Sequence, residues 1–180
     1  ALARGIEQFS PDDLIMISDI DEIPNPKKIK DFDLKNKYAC FLQKNFQTKI
    51  NLLNITDMFW SGTKICQKKN LKSPQWLRDI KTKKQPFWKV FSETQPQLIK
   101  NGGWHFSFLK DSQSIKRKIN SFAHQEYNTK EFTDIKKIEE KISKKIDIFG
   151  RNIQYKAIDI DESFPQYIRD NKKKFRDWII

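Results

Sequence analysis

An apolar run, Leu14-Ile15-Met16-Ile17, stops abruptly at Ser18-Asp19-Ile20-Asp21-Glu22-Ile23-Pro24, and this junction constrains the fold more than any other segment. A short continuous apolar run of this kind suits a strand buried in a parallel or mixed sheet. Pro24 and Pro26 lack the amide hydrogen that a central strand needs, so the acidic stretch is expected to leave the sheet edge as a loop. Carboxylates are thereby delivered to the exit of a strand. Asn25-Pro26 then reads as a cap and first position of a short helix running to about Phe32.

The remaining pattern alternates between strand-like and helix-like stretches. From Lys37 to about Cys66, apolar and aromatic residues (Tyr38, Cys40, Phe41, Phe46, Ile50, Leu52, Ile55, Phe59, Trp60) broken by polar turns predict two to four strands. Ser73-Pro74 predicts a helix through Trp76 and Leu77 to about Ile80. Trp88 to Phe91 reads as a strand. Gly102-Gly103 marks a place of unusual backbone angles or close approach to a ligand. A helix is expected after Asp111 with Ile115, Ile119 and Phe122 on one face. A second is expected over Thr133 to Ile146, with Ile135, Ile138, Ile142 and Ile146 at helical spacing and Gly150 as its stop. Leu2, Ile6 and Phe9 suggest an amphipathic opening helix, and Gln166 to Ile180 a basic helix ending near Trp178. No internal repeat or low-complexity linker divides the chain, so residues 1–180 read as one domain.

Composition narrows the function classes. Thirty-five basic against 23 acidic side chains give a formal charge of +12, which favours anionic partners. The lysine clusters at Lys68-Lys69, Lys83-Lys84 and Lys172-Lys173-Lys174 are dispersed, which argues against a dedicated nucleic-acid reader. Apolar runs fall far short of the roughly 20 residues of a membrane helix. The two cysteines, Cys40 and Cys66, are too few for a disulfide scaffold and read as reduced, partly buried thiols.

The residues fitted for chemistry begin with Asp19 and Asp21. At i and i+2 in an extended segment their carboxylates share one side, where they can hold a hard divalent cation, with Glu22 as a third oxygen donor. Mg²⁺ or Mn²⁺ held in this way completes its shell with water and substrate phosphates, so the pattern points to a phosphorylated substrate and a leaving diphosphate. A rival reading is an aspartate-nucleophile phosphatase with Asp19 attacking phosphorus. Another is a non-enzymatic module that binds anions or nucleic acid through the net charge. His105 and His124, the two histidines, suit phosphate donation, metal ligation or orientation of a carboxylate. Glu126 suits a general base. Trp60, Trp76, Trp88 and Trp104 are candidates for stacking on sugar or base faces, or for the core.

Three segments in register resemble one family. They are Ser18-Asp19-Ile20-Asp21-Glu22-Ile23-Pro24, Gly102-Gly103-Trp104-His105-Phe106-Ser107 and Ser121-Phe122-Ala123-His124-Gln125-Glu126. Fainter echoes are Trp60-Ser61-Gly62-Thr63, Ser73-Pro74-Gln75-Trp76-Leu77-Arg78 and Phe164-Pro165-Gln166-Tyr167-Ile168. Their order and spacing resemble glycosyltransferase family 17, which includes the β-1,4-mannosyl-glycoprotein β-1,4-N-acetylglucosaminyltransferases. The resemblance covers nearly the whole chain.

The resemblance implies an α/β, GT-A-like (Rossmann-like) mixed sheet flanked by helices, inverting chemistry, and a nucleotide-sugar donor, UDP-GlcNAc or a relative, transferred to a glycan acceptor. It implies that Asp19 and Asp21 hold Mn²⁺ or Mg²⁺ and the donor diphosphate, with His105 and His124 as motif histidines on the donor side. For the catalytic base, Glu126 is the first choice and Glu22 the second. Family members carry a β-α-β region before the Asp-x-Asp, so the expectation is that this chain begins after that region. The stretch Asn45 to Leu53 departs from the Tyr-rich sequence of relatives, which leaves the acceptor open. Only five glycines, with abundant Lys, Ile and Asn, suggest an AT-biased bacterial or viral genome and a cytoplasmic location, the alternative being a Golgi lumen enzyme whose anchor lies upstream.

Overall fold

The computed structural model describes residues 2–82, 95–121 and 127–180. In chain order the elements are α1 (Leu2–Gly5), β1 (Leu14–Ile17), β2 (Glu22–Pro24), β3 (Tyr38–Gln47), β4 (Leu52–Asn54), β5 (Phe59–Gln67), α2 (Pro74–Arg78), β6 (Gln97–Ser107), α3 (Ser112–Asn120), α4 (Lys130–Thr133), α5 (Ile135–Ser143), β7 (Tyr155–Ala157) and α6 (Gln166–Asp170), with short 3-10 turns between them. The chain is a mixed α/β protein, and the strand pairs with a defined register are antiparallel. Among the described residues no helix is long and apolar enough to cross a membrane. The strand expected at Trp88 to Phe91, the Lys83-Lys84 pair and Phe122 lie outside the described residues. The chain forms two compact units, Ala1–Lys44 with Phe59–His105, and Asn45–Met58 with Phe106–Ile180.

In the first unit, β5 pairs with β1 on one side and β3 on the other, while β6 pairs with β2 and β3. The period-two alternation of β3 and β5 divides their side chains between two cores. Ala39, Phe41 and Ile65 pack with Phe32 and Ile99. Tyr38 and Cys66 pack with Leu77 of α2, joined by partly buried Ile17 and Trp76. Burying one side chain the size of Phe41 contributes about 2–3 kcal/mol. β1 is less buried than its composition suggests. Within β1 Ile15 is buried and Leu14 is 42% exposed, because among the described residues β1 ends the order of strands with β5 as its one registered neighbour.

Local capping signals are met here. Asn25 accepts a hydrogen bond from the Lys27 amide and opens a 3-10 turn over Pro26–Asp31. Ser73 accepts from the Trp76 amide, with Pro74 in the first turn of α2. The opening helix is shorter than its apolar spacing implies. α1 ends at Gly5, and Phe9 is 42% exposed. Cys40 and Cys66 are free and buried, and burial pushes the Cys66 thiol up to about 11. They are inert thiols.

In the second unit, β4 pairs with β7 and, at Phe46↔Leu53, with the end of β3. Ile115 and Ile119 of α3, Ile138 of α5, Phe108, Ile148 and Phe149 form its core. The helix expected over Thr133 to Ile146 is present but shorter, as α5, and the short α4 precedes it. Asp134 caps α5 by accepting from the Lys136 and Lys137 amides. Lys145 then takes φ +58, so Ile146 leaves the helix, half exposed, and bridges to Gln154. The expected C-terminal helix is interrupted. α6 stops at Asp170, and a 3-10 turn over Arg176–Trp178 follows. The tail is instead tied down by bonds from the Ile50 amide to the Trp178 carbonyl (2.8 Å) and from the Ile180 amide to Asn51 Oδ1 (2.9 Å).

Candidate active site

The acidic junction is a turn followed by a strand. The Glu22 amide donates to the Asp19 carbonyl at 3.0 Å, and Glu22 Oε2 accepts from the Asp19 amide at 3.1 Å. Asp19 to Glu22 is thus closed by backbone and side chain together, and the extended geometry expected for Asp19 and Asp21 is replaced by a tight turn. The strand expected to be absent is present. β2 begins at Glu22 and pairs with β6 in the register Glu22↔His105, Ile23↔Trp104, Pro24↔Gly103. Pro24 is tolerated because it ends this three-residue strand. Gly103 is required. Its φ is +136, and a Cβ there would collide with the Ile23 carbonyl oxygen.

Around this turn the side chains form a cleft of about 160 Å³ lined by Ile17, Asp19, Glu22, Trp60, Ser61, Gly62, Lys64 and Arg78. Ser18 and Thr63 hydroxyls, 2.5 Å apart, pin the start of the turn to β5. The Trp60 indole donates to Glu22 Oε1 at 2.8 Å and stacks on the His105 ring, with centroids 4.5 Å apart and planes 13° apart. His105 is buried, and its Nε2 lies 3.7 Å from Asp21 Oδ2. That distance is an electrostatic approach, longer than a hydrogen bond. Lys64 is buried, and its ammonium donates to the Ser61 carbonyl at 2.9 Å and to the Gly62 carbonyl.

The strongest pair at the cleft is one that spacing did not suggest. Arg78, the last residue of α2, grips Asp19 with both prongs, Nε to Oδ1 at 2.8 Å and Nη2 to Oδ2 at 2.7 Å. The Arg78 hydrogen bond holds the Asp19 carboxyl below its usual range, against burial and the neighbouring Asp21 charge, which push it up. Asp19 and Asp21 are therefore close enough to repel, and each has a cationic or ring-nitrogen neighbour.

Asp19, Asp21, Glu22 and His105 are neighbours around this turn. His124 and Glu126 lie outside the described residues. Trp76 packs edge-on against Tyr38, and Trp104 is buried, so both serve the core rather than the cleft. Residues 2–176 match the family model of Glycosyltransferase family 17. The chain belongs to that family. No curated protein matches it, and no solved structure does.

Membership in family 17 means glycosyl transfer, with a sugar donor and a glycan acceptor. Against that chemistry the donor set of the cleft can be tested for a metal. Among the described residues no three Asp, Glu, His or Cys side chains converge as a ready-made cage. Mg²⁺-type ions in phosphate-handling sites use one or two carboxylates and take their other ligands from water and phosphate. The hard oxygens of Asp19 and Asp21 fit that requirement. Two residues of the cleft were given no role in the sequence reading. Lys64 had a usable signal, a lysine inside the apolar stretch Thr63-Lys64-Ile65-Cys66. Arg78 stood at the end of the fainter echo Ser73 to Arg78, but nothing there joined it to Asp19, 59 residues away.

Proposed function

We propose that this cleft is the donor-diphosphate site of a metal-dependent, inverting glycosyltransferase of GT-A-like architecture that takes UDP-GlcNAc or a related nucleotide sugar and transfers the sugar to a glycan acceptor. The observation that carries the reading is the meeting of Asp19 and Glu22, just past the exit of β1, with two cations, Arg78 and Lys64, on one small cleft, and Asp21 lies in the same turn against His105. Asp19 and Asp21 would hold Mn²⁺ or Mg²⁺. The metal supplies positive charge that stabilises the leaving diphosphate.

The chain's own residues have distinct tasks in this reading. Arg78 and Lys64 balance negative charge at the phosphates. Trp60 presents a flat ring face beside the carboxylates and, through its stack, holds His105 toward Asp21. Glu22 already accepts from the Trp60 indole and from the Asp19 amide with its two oxygens. Those commitments suit a residue that shapes the turn, and they favour Glu126 over Glu22 as the base that takes the acceptor's hydroxyl proton. His124, in the same motif as Glu126, belongs to the donor side. Family membership favours this reading over the phosphatase and the anion-binding module.

Calorimetric titration of UDP-GlcNAc with and without Mn²⁺, into the wild-type protein and Asp21→Ala, tests it. Binding is expected only with Mn²⁺ and only in the wild type. Binding indifferent to both the metal and Asp21 would overturn it.

A further inference from the structure

We infer that Arg78 is the cleft residue that receives the donor's diphosphate, and that it is held in reserve on Asp19 until a divalent cation takes that carboxylate. The inference rests on the donor-site reading above and adds a residue and an order of events to it. Both Asp19 oxygens are gripped by the guanidinium, so a cation that needs Asp19 must compete with Arg78. At the same distance and dielectric a doubly charged ion attracts that carboxylate about twice as strongly as a single charge does. Arg78 can yield, because its side chain is 50% exposed and Asp19's is 42% exposed. Its anchorage does not yield, because Leu77, the preceding residue, is fully buried.

A displaced Arg78 stays beside the cleft with its fork open. The planar guanidinium that matches a carboxylate matches a phosphate equally well. Lys64, the other cation of the cleft, cannot take this part as readily, since its ammonium is buried and tied to the Ser61 and Gly62 carbonyls. Charge balance points the same way. Asp19, Asp21 and Glu22 oppose Arg78 and Lys64, three negative charges against two positive, so a diphosphate arriving alone meets a net negative site. With a divalent cation bound, the site turns positive. The cation and the diphosphate therefore bind as a coupled pair, and Arg78 is handed from one partner to the other.

The test titrates Mn²⁺ alone, read as free ion by electron paramagnetic resonance, into wild type, Arg78→Gln, Arg78→Lys and Asp19→Asn, and then titrates UDP at saturating Mn²⁺. Arg78→Gln is expected to tighten Mn²⁺ alone about threefold to tenfold, because the competing charge is gone. It is also expected to weaken UDP about tenfold or more, through loss of a charge-assisted contact. Arg78→Lys keeps the charge without the fork and should fall between the two for UDP. Mn²⁺ binding that Asp19→Asn abolishes but Arg78→Gln leaves unchanged or weakens would overturn this inference alone. Tighter Mn²⁺ with unchanged UDP affinity would overturn the diphosphate role. Absence of Mn²⁺ binding from both wild type and Arg78→Gln would overturn the donor-site reading and this inference with it.

Discussion

Each compact unit holds an aspartate gripped two-pronged by a half-exposed arginine, and the two pairs differ in what surrounds the carboxylate. In the second unit the Asp147 side chain is fully buried. It takes Arg151 Nε at 3.0 Å and Nη2 at 2.8 Å, the Phe149 and Arg151 amides at 3.1 Å each, and the Tyr155 hydroxyl at 2.8 Å. In the first unit the Asp19 carboxylate is 42% exposed and is held by the Arg78 fork. The geometry of the two forks is almost the same. A buried carboxylate with five donors is a structural joint, and a half-exposed carboxylate held by one cation is an exchangeable one.

The largest expected effect is on the buried pair. Asp147→Ala strands the Phe149 and Arg151 amides and leaves the Arg151 guanidinium without its carboxylate, while the Tyr155 hydroxyl keeps Gln47 Oε1 as acceptor, and the change should cost about 3 kcal/mol of stability, read by urea unfolding. A loss under about 1 kcal/mol would mean that Asp147 is no joint and would break the comparison.

Acid should act through the same residue. Burial pushes the Asp147 carboxyl up, but the hydrogen bonds from Arg151 and Tyr155 outweigh it and leave the group below its ordinary 3.8. A carboxyl lowered in the folded state adds stability that is complete above its unfolded pKa and is lost as pH falls through the folded one. Stability should thus be level above about pH 5 and decline below 3.8, and Asp147→Asn should flatten part of that decline in unfolding curves at pH 7 and pH 3. An unchanged acid decline in the variant would contradict the assignment.

The smallest expected effect on stability is at Asp19. Asp19→Ala removes a half-exposed ion pair worth about 0–1 kcal/mol, and the same unfolding measurement should barely move. A loss as large as that of Asp147→Ala would make Asp19 structural and would remove the contrast.

What the sequence disclosed follows the range of the interactions involved. Caps such as Asn25 and Ser73 act within three residues, and their 3-10 turn and helix are where the sequence puts them. The carboxylates of the Asp-x-Asp were visible as residue types at a strand's end. Their mutual geometry was not, because the bond from the Glu22 amide to the Asp19 carbonyl turns a segment whose spacing alone reads as extended. The stack of Trp60 on His105 and the grip of Arg78 on Asp19 join residues 45 and 59 positions apart, and no periodicity records such a meeting. Asp147, Arg151 and Tyr155 had a readable spacing of four. Because Asp147 falls after α5, where the helical pattern ends, helical spacing gave no reason to connect them.

The exchangeable and the fixed arginine can be watched side by side. In ¹⁵N–¹H spectra of arginine side chains, the Nε–H groups of Arg78 and Arg151 each report a bond to an aspartate. On addition of Mg²⁺ with UDP, the Arg78 signal is predicted to move as its bond to Asp19 is exchanged for one to phosphate, while the Arg151 signal stays in place. An Arg78 signal that holds still while the nucleotide binds, or an Arg151 signal that moves as far, would contradict the account.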